Sequence, residues 1–214
     1  MVVQPQTLFV FSLAALAILA VPGPAVVYIV TRSIHQGRGA GLASVLGIHV
    51  GTLVHLTAAT VGLSAILVSS ATAFTVVKAL GALYLIVVGI RTLLGRADEA
   101  DTDPQRPPRR RRRDFAEGVV VNVLNPKTAL FFLAFLPQFV DPKQGQAWEQ
   151  ILVLGLTFMV LGLITDSMWA LAAGTAGETL RKSRRWAGVQ RYVSGSVFVG
   201  LGVVTALTGS HRTS

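Results

Sequence analysis

The sequence predicts an all-α integral membrane protein: six transmembrane helices arranged as two inverted three-helix repeats, with helices 1 and 4 broken. Three observations carry the prediction. The 214 residues are 52% hydrophobic and only 14% charged, with a mean hydropathy of +0.60. Their charges clump between apolar stretches of about twenty residues, the length that crosses a ~30 Å hydrocarbon core. Basic residues crowd alternate loops. Two of the apolar stretches are interrupted by proline, where a helix loses a hydrogen bond that no water replaces.

Segment one runs from about Leu8 to Thr31. No basic residue precedes it and no small-residue cleavage site follows it, so it reads as a span broken at Pro22-Gly23-Pro24 rather than as a signal peptide. Segment two, about Gly41 to Ser69, carries His49 and His55 and sets Gly47 and Gly51 four residues apart, on one helix face where a neighbour can approach closely. Segment three, about Phe74 to Leu94, has Lys78 near its start, where the side chain snorkels to the interface.

Residues 95–114 form a linker, acidic first (Asp98, Glu99, Asp101, Asp103), then Pro107-Pro108 and the arginines Arg109 to Arg113. Its proline and dense charge predict disorder. A solvated orienting loop explains it better than an acidic-lipid or nucleic-acid contact. The net charge of +9 is thus attributed to orientation, and no nucleic-acid partner is expected.

Segment four, about Gly118 to Val140, contains LNPKTALFFLAFLPQ (124–138), which places Asn125, Pro126 and Lys127 inside an apolar run. A lysine there is unfavourable by roughly 2.5–3.5 kcal/mol on insertion scales, and residues so placed are usually functional. Segment five, about Gln150 to Ala173, carries Asp166. Segment six, about Tyr192 to Leu207, follows a basic loop holding Arg181, Lys182, Arg184, Arg185 and Arg191.

The loops after segments one, three and five, counted with Arg91 at the end of segment three, hold fifteen of the nineteen Lys and Arg residues. The positive-inside rule then puts these loops in the cytoplasm and both termini outside. A five-span arrangement with the N-terminus inside is the alternative, because the first segment is broken and lacks flanking charge.

An odd number of spans per half forces the halves, 1–94 and 115–214, into opposite orientations. Their first segments compare directly: VPGPAVVYIV at 21–30 and LNPKTALFFL at 124–133. Gly23 lies nine residues before Arg32 and Pro126 nine residues after Glu117. At ~1.5 Å per residue, both breaks sit roughly 13 Å from the cytoplasmic edge, near the middle of the membrane. Matched breaks at the midplane are the sequence pointer to a transporter of inverted repeats. The chain therefore reads as one transmembrane transporter domain over 1–214, although breaks made for packing alone are the competing explanation.

Pro126 suits the first position of a half-helix capped by Asn125, and Pro24 starts another behind Gly23. Free N–H groups there attract an anion and Lys127 adds a full positive charge, a combination suited to an amino-acid carboxylate. Asp166, the one acidic residue deep in any segment, is the natural partner for Lys127 or for a substrate ammonium, and the natural proton carrier. A static ion pair between Lys127 and Asp166 is the structural alternative. His49 and His55 are candidates for a proton relay, but hydrogen bonding within the bundle accounts for them better.

No metal site or cofactor is expected. The chain lacks cysteine, HExxH and paired intramembrane carboxylates, which argues against an enzyme. A single aspartate is also too few oxygen ligands to hold a dehydrated cation.

The strings PGP (22–24), GRGAGLASVLGIHVG (37–51), KALGALYLIVVGIRTL (78–93), NVLNPKTALFFLAFLPQFV (122–140) and ALAAG (170–174) resemble the bacterial LysE/RhtB amino-acid exporters of the homoserine, threonine and leucine efflux branch. The likeness covers nearly the whole chain. It implies a bacterial inner-membrane exporter of amino acids or related metabolites, driven by the proton gradient. The arginine-rich linker departs from the family by its length and basicity. Export of another small solute or cation, or a structural membrane role, is the alternative function. The glycine-rich second helix permits a homodimer.

Overall fold

The computed structural model describes residues 2–70 and 111–180, with isolated helical positions at 72, 75, 76, 80, 83 and 90. The third expected span is thus described only at scattered points. The linker up to residue 110, the basic loop 181–191 and the sixth expected span lie outside the described residues.

Helix α1 (Pro5–Ala20) opens on a proline, whose missing N–H belongs to a position that has no helical partner anyway. It stops at Val21-Pro22-Gly23, and α2 (Pro24–Gln36) restarts on Pro24. The two are bent by 54°. Gly37, at φ 82° and ψ 173°, both ends α2 and precedes α3 (Arg38–Ser69). This left-handed φ needs glycine, and it reverses the chain in a single residue.

The second broken span begins with α4 (Arg111–Val123) and continues, after Leu124-Asn125, through α5 (Pro126–Leu130), a π turn at Phe131–Phe135 and a 3₁₀ turn at Leu136–Phe139. Its bend is 48°. Arg111 to Asp114, expected in a disordered linker, are helical instead. Pairing of Asp114 and Glu117 with Arg32, described below, removes the charge cost that made helix seem unfavourable there.

A turn at Asp141 leads to α6 (Ala147–Leu180). The buried Gln150 side chain holds that turn from both sides, donating to the Asp141 carbonyl at 2.9 Å and accepting from the Asp141 amide at 3.0 Å. Among the described residues, two straight stretches are long and apolar enough to cross a membrane, Arg38–Ile66 and Ala147–Thr175, and each bent pair supplies one more candidate span.

Close backbone packing joins α3 to α4. A Cβ on Gly51 would meet the Val119 carbonyl oxygen at 2.9 Å, and one on Gly118 would meet that of Ser44 at 2.7 Å, so only glycine fits either position. Gly47 makes a similar approach to the Phe115 carbonyl. The shared face read from the spacing of Gly47 and Gly51 is therefore an interface.

Among the described residues, two apolar clusters fill the interior. The larger joins Phe11 and Ile18 of α1, Leu56 and Leu63 of α3, the phenylalanines of the second broken span, and Ile151, Leu154 and Phe158 of α6. The smaller joins Ile29, Val45, Ile48 and Ala170. Outward-facing positions such as Phe9, Val61, Leu124 and Met168 are exposed and apolar, as expected of a bundle whose solvent is lipid. The two breaks lie between the clusters.

Candidate functional site

Each break ends one helix before the next begins, and this frees backbone groups. In an unbroken helix the Val21 carbonyl would accept from Ala25, but the turn at Val21-Pro22-Gly23 removes that bond. Lys127 replaces it: Nζ donates to the Val21 carbonyl across the bundle. The two breaks, roughly a hundred residues apart in sequence, are therefore joined by one charged hydrogen bond. Gly23 makes room for it, since a Cβ there would lie 2.9 Å from Lys127 Cδ.

Asn125 caps the second restart as expected, its side chain accepting from the Lys127 amide at 3.1 Å. Pro24 and Pro126 each occupy the first turn of their half-helix. Gly23, Asn125 and Lys127 line a cavity of about 40 Å³, together with His49, Thr52, Asn122, Thr128, Asp166 and the apolar side chains Ile18, Phe131 and Phe158. At ~10–15 Å³ per water centre, that space holds about three waters.

Asp166 lines the same cavity, but its contact differs from the expected one. His49 Nε2 lies 3.4 Å from Asp166 Oδ2, with both residues at least nine-tenths buried. Lys127 pairs with the Val21 carbonyl and not with Asp166. A carbonyl freed by a helix break is a strong acceptor with no other partner in hydrocarbon, and it lies closer to the Lys127 ammonium. The His49–Asp166 approach is at ion-pair distance without hydrogen-bond geometry, and neither ring nitrogen of His49 has a hydrogen-bond partner among the described residues.

His55 stands apart from the cavity lining. Its Nε2 lies 2.9 Å from the Asn122 carbonyl oxygen, and its ring stacks on Phe132. This is the hydrogen-bonding role within the bundle, and it separates His55 from His49 and Asp166.

The centre of the polar network is Asn122, which the sequence reading did not single out. Its side-chain amide donates to the Ile48 carbonyl and to Thr52 Oγ1, both at 2.8 Å. Its side-chain oxygen accepts from Thr128 at 2.9 Å and from Asn125 at 3.3 Å. The spacing Asn122, Asn125, Thr128 is a polar stripe of period three on an apolar span, and that stripe was the available signal.

The profile of the LysE type translocators matches residues 16–209, across both breaks and Asp166. The chain belongs to the LysE type translocator family. A membrane protein of Vibrio cholerae with no assigned function is 30% identical over 200 residues, covering 94% of this chain and 93% of its own. The homoserine/homoserine lactone efflux protein of Salmonella typhimurium is 29% identical over 198 residues, covering 92% and 95%. A Bacillus subtilis membrane protein, YrhP, is 25% identical over 211 residues, covering 95% and 100%. No solved structure matches the chain.

In this translocator Asn122 fixes the second break against α3. Side-chain hydrogen bonds between membrane helices average ~0.6 kcal/mol and reach ~1.7. Asn122→Ala removes two such bonds to α3, besides two within the second broken span, so we expect a loss of roughly 1–3 kcal/mol on that scale. The midpoint of thermal unfolding in detergent measures it, and an unchanged midpoint would remove Asn122 from the centre of the network.

Proposed function

We propose that the chain exports an amino acid or a closely related metabolite across the bacterial inner membrane by alternating access, driven by the proton gradient. Its site is the pair of helix breaks, flanked by two inverted three-helix repeats with the basic loops in the cytoplasm and both termini outside.

The observation that carries this reading is the pairing of opposite charges around one cavity: the Lys127 ammonium held at the junction of the breaks, and Asp166 lining the same cavity. A zwitterion fits such a pair. Its carboxylate goes to Lys127 and to the N-terminal turn of α2, and its ammonium goes to Asp166. The names of the Salmonella relatives as homoserine/homoserine lactone efflux proteins support the same substrate class.

In this mechanism the cavity widens to admit substrate, because a space for about three waters is too small for it. Asp166 exchanges a proton or changes partner as the site switches sides, and His49, at 3.4 Å, is placed to receive or return that proton.

Asp166→Asn keeps the shape and removes both the charge and the proton. In proteoliposomes with an imposed pH gradient, it is expected to lower amino-acid transport at least a hundredfold while the protein inserts at parental levels. Full activity in this variant would overturn the assignment. A purely structural membrane protein would also show no substrate-dependent rise in melting temperature, whereas a transporter is stabilised in proportion to ligand occupancy.

A further inference from the structure

On either side of the cavity, the two broken spans touch each other again, and the two contacts differ in chemistry. Toward the basic-loop end, Arg32 of α2 pairs with Glu117 and lies 3.5 Å from Asp114 on α4, with Asp114 fully buried. Tyr28 lies beneath the Arg32 guanidinium and donates to the Asp114 carbonyl at 2.9 Å, while Arg113 holds Glu117 from its other side at 3.1 Å. Toward the opposite end, Phe11 of α1 packs its ring against Phe131, Phe135 and Phe139 at centroid distances of 5.9, 6.4 and 5.2 Å.

Both contacts join the same two spans, one from each half of the chain. Arg32 is nine residues beyond Gly23, and Glu117 is eight before Asn125; Phe11 is ten before Val21, and Phe135 ten beyond Asn125. At ~1.5 Å per residue, these four residues lie roughly 12–15 Å along the helices from the breaks, and Phe131 lies nearer, at the edge of the cavity. A solute moving between the broken spans must part first one contact and then the other.

We propose that these contacts are the two gates of the pathway: a polar gate of Arg32, Asp114 and Glu117, and an aromatic gate of Phe11 with Phe131, Phe135 and Phe139. This rests on the transport reading above and adds its opening steps. The polar gate suits the side from which an amino acid is loaded. An arriving zwitterion offers Arg32 a carboxylate in place of Glu117 and offers Asp114 an ammonium in place of Arg32, so the ion pairs exchange partners and no charge is left buried alone. The aromatic gate offers no polar partner, and it excludes water until the substrate leaves.

The absence of native cysteine allows a test that needs no substrate. A Val26→Cys variant places one reporter thiol in the cavity lining, and a charged, membrane-impermeant thiol reagent is applied to vesicles of each orientation. Arg32→Glu in this background is expected to raise the labelling rate about tenfold from the face carrying the basic loops only, and Arg32→Lys, which keeps the positive charge between Asp114 and Glu117, to leave it near the parental rate. Phe11→Ala is expected to raise labelling about tenfold from the opposite face. Rates unchanged by Arg32→Glu and Phe11→Ala, increases equal from both faces, or an Arg32→Lys variant labelled as fast as Arg32→Glu would overturn the gates. Because labelling is read without amino acid, a gate result stands apart from a failure of the transport assay.

Discussion

Lys127→Ala is expected to reduce amino-acid counterflow in proteoliposomes at least a hundredfold while leaving the amount of folded protein near the parental level. The second half of that expectation follows from two opposed magnitudes. Burying the ammonium in the span is unfavourable by roughly 2.5–3.5 kcal/mol. Its hydrogen bond to the Val21 carbonyl returns roughly 1.5–3 kcal/mol as a charged bond. Removing both leaves the fold almost where it was, and only the proposed contact with substrate is lost. If folded protein and transport instead fall together, Lys127 is a brace between the breaks; if transport persists, the site lies elsewhere.

Gly47→Val has the largest expected effect on the fold. A Cβ at this position would stand 2.9 Å from the Phe115 carbonyl carbon and 3.1 Å from its Cα. These are backbone atoms of a neighbouring helix, and no side-chain rotation relieves them. Overpacking typically destabilises by about 1–3 kcal/mol, and α4 must also move as a whole here, so we expect a loss beyond the top of that range. Size-exclusion chromatography of detergent extracts should show little monodisperse protein. Gly62→Val supplies the control on the same helix: a Cβ there meets nothing within 4 Å, and its profile should match the parent. Equal profiles for the two variants would mean that the α3–α4 contact does not hold the bundle together.

The breaks at Pro22–Pro24 and Asn125–Pro126 were legible because proline in an apolar run has few explanations, and the face of Gly47 and Gly51 was legible because helical periodicity is rigid. The partner of Lys127 was not. Reasoning from charge looks for a carboxylate and finds Asp166, but a broken helix also creates acceptors that carry no formal charge, and the Val21 carbonyl is one. Asn122 was hidden for a related reason: it lies just before a helix end, where asparagine reads as an ordinary cap, and only its neighbours on α3 make it a hub. The helical start at Arg111 escaped because Asp114 and Glu117 count as loop-forming charges until Arg32, more than eighty residues away, neutralises them.

In the transport mechanism proposed above, the bond from Lys127 to Val21 makes the protein its own competing ligand. A substrate carboxylate that takes the ammonium must displace the carbonyl and leave it without that donor. The displaced interaction, roughly 1.5–3 kcal/mol, weakens apparent affinity by about ten- to a hundredfold. A transporter built as proposed would stay idle at low solute concentration and open when its cargo accumulates, the behaviour of an overflow valve rather than a scavenger.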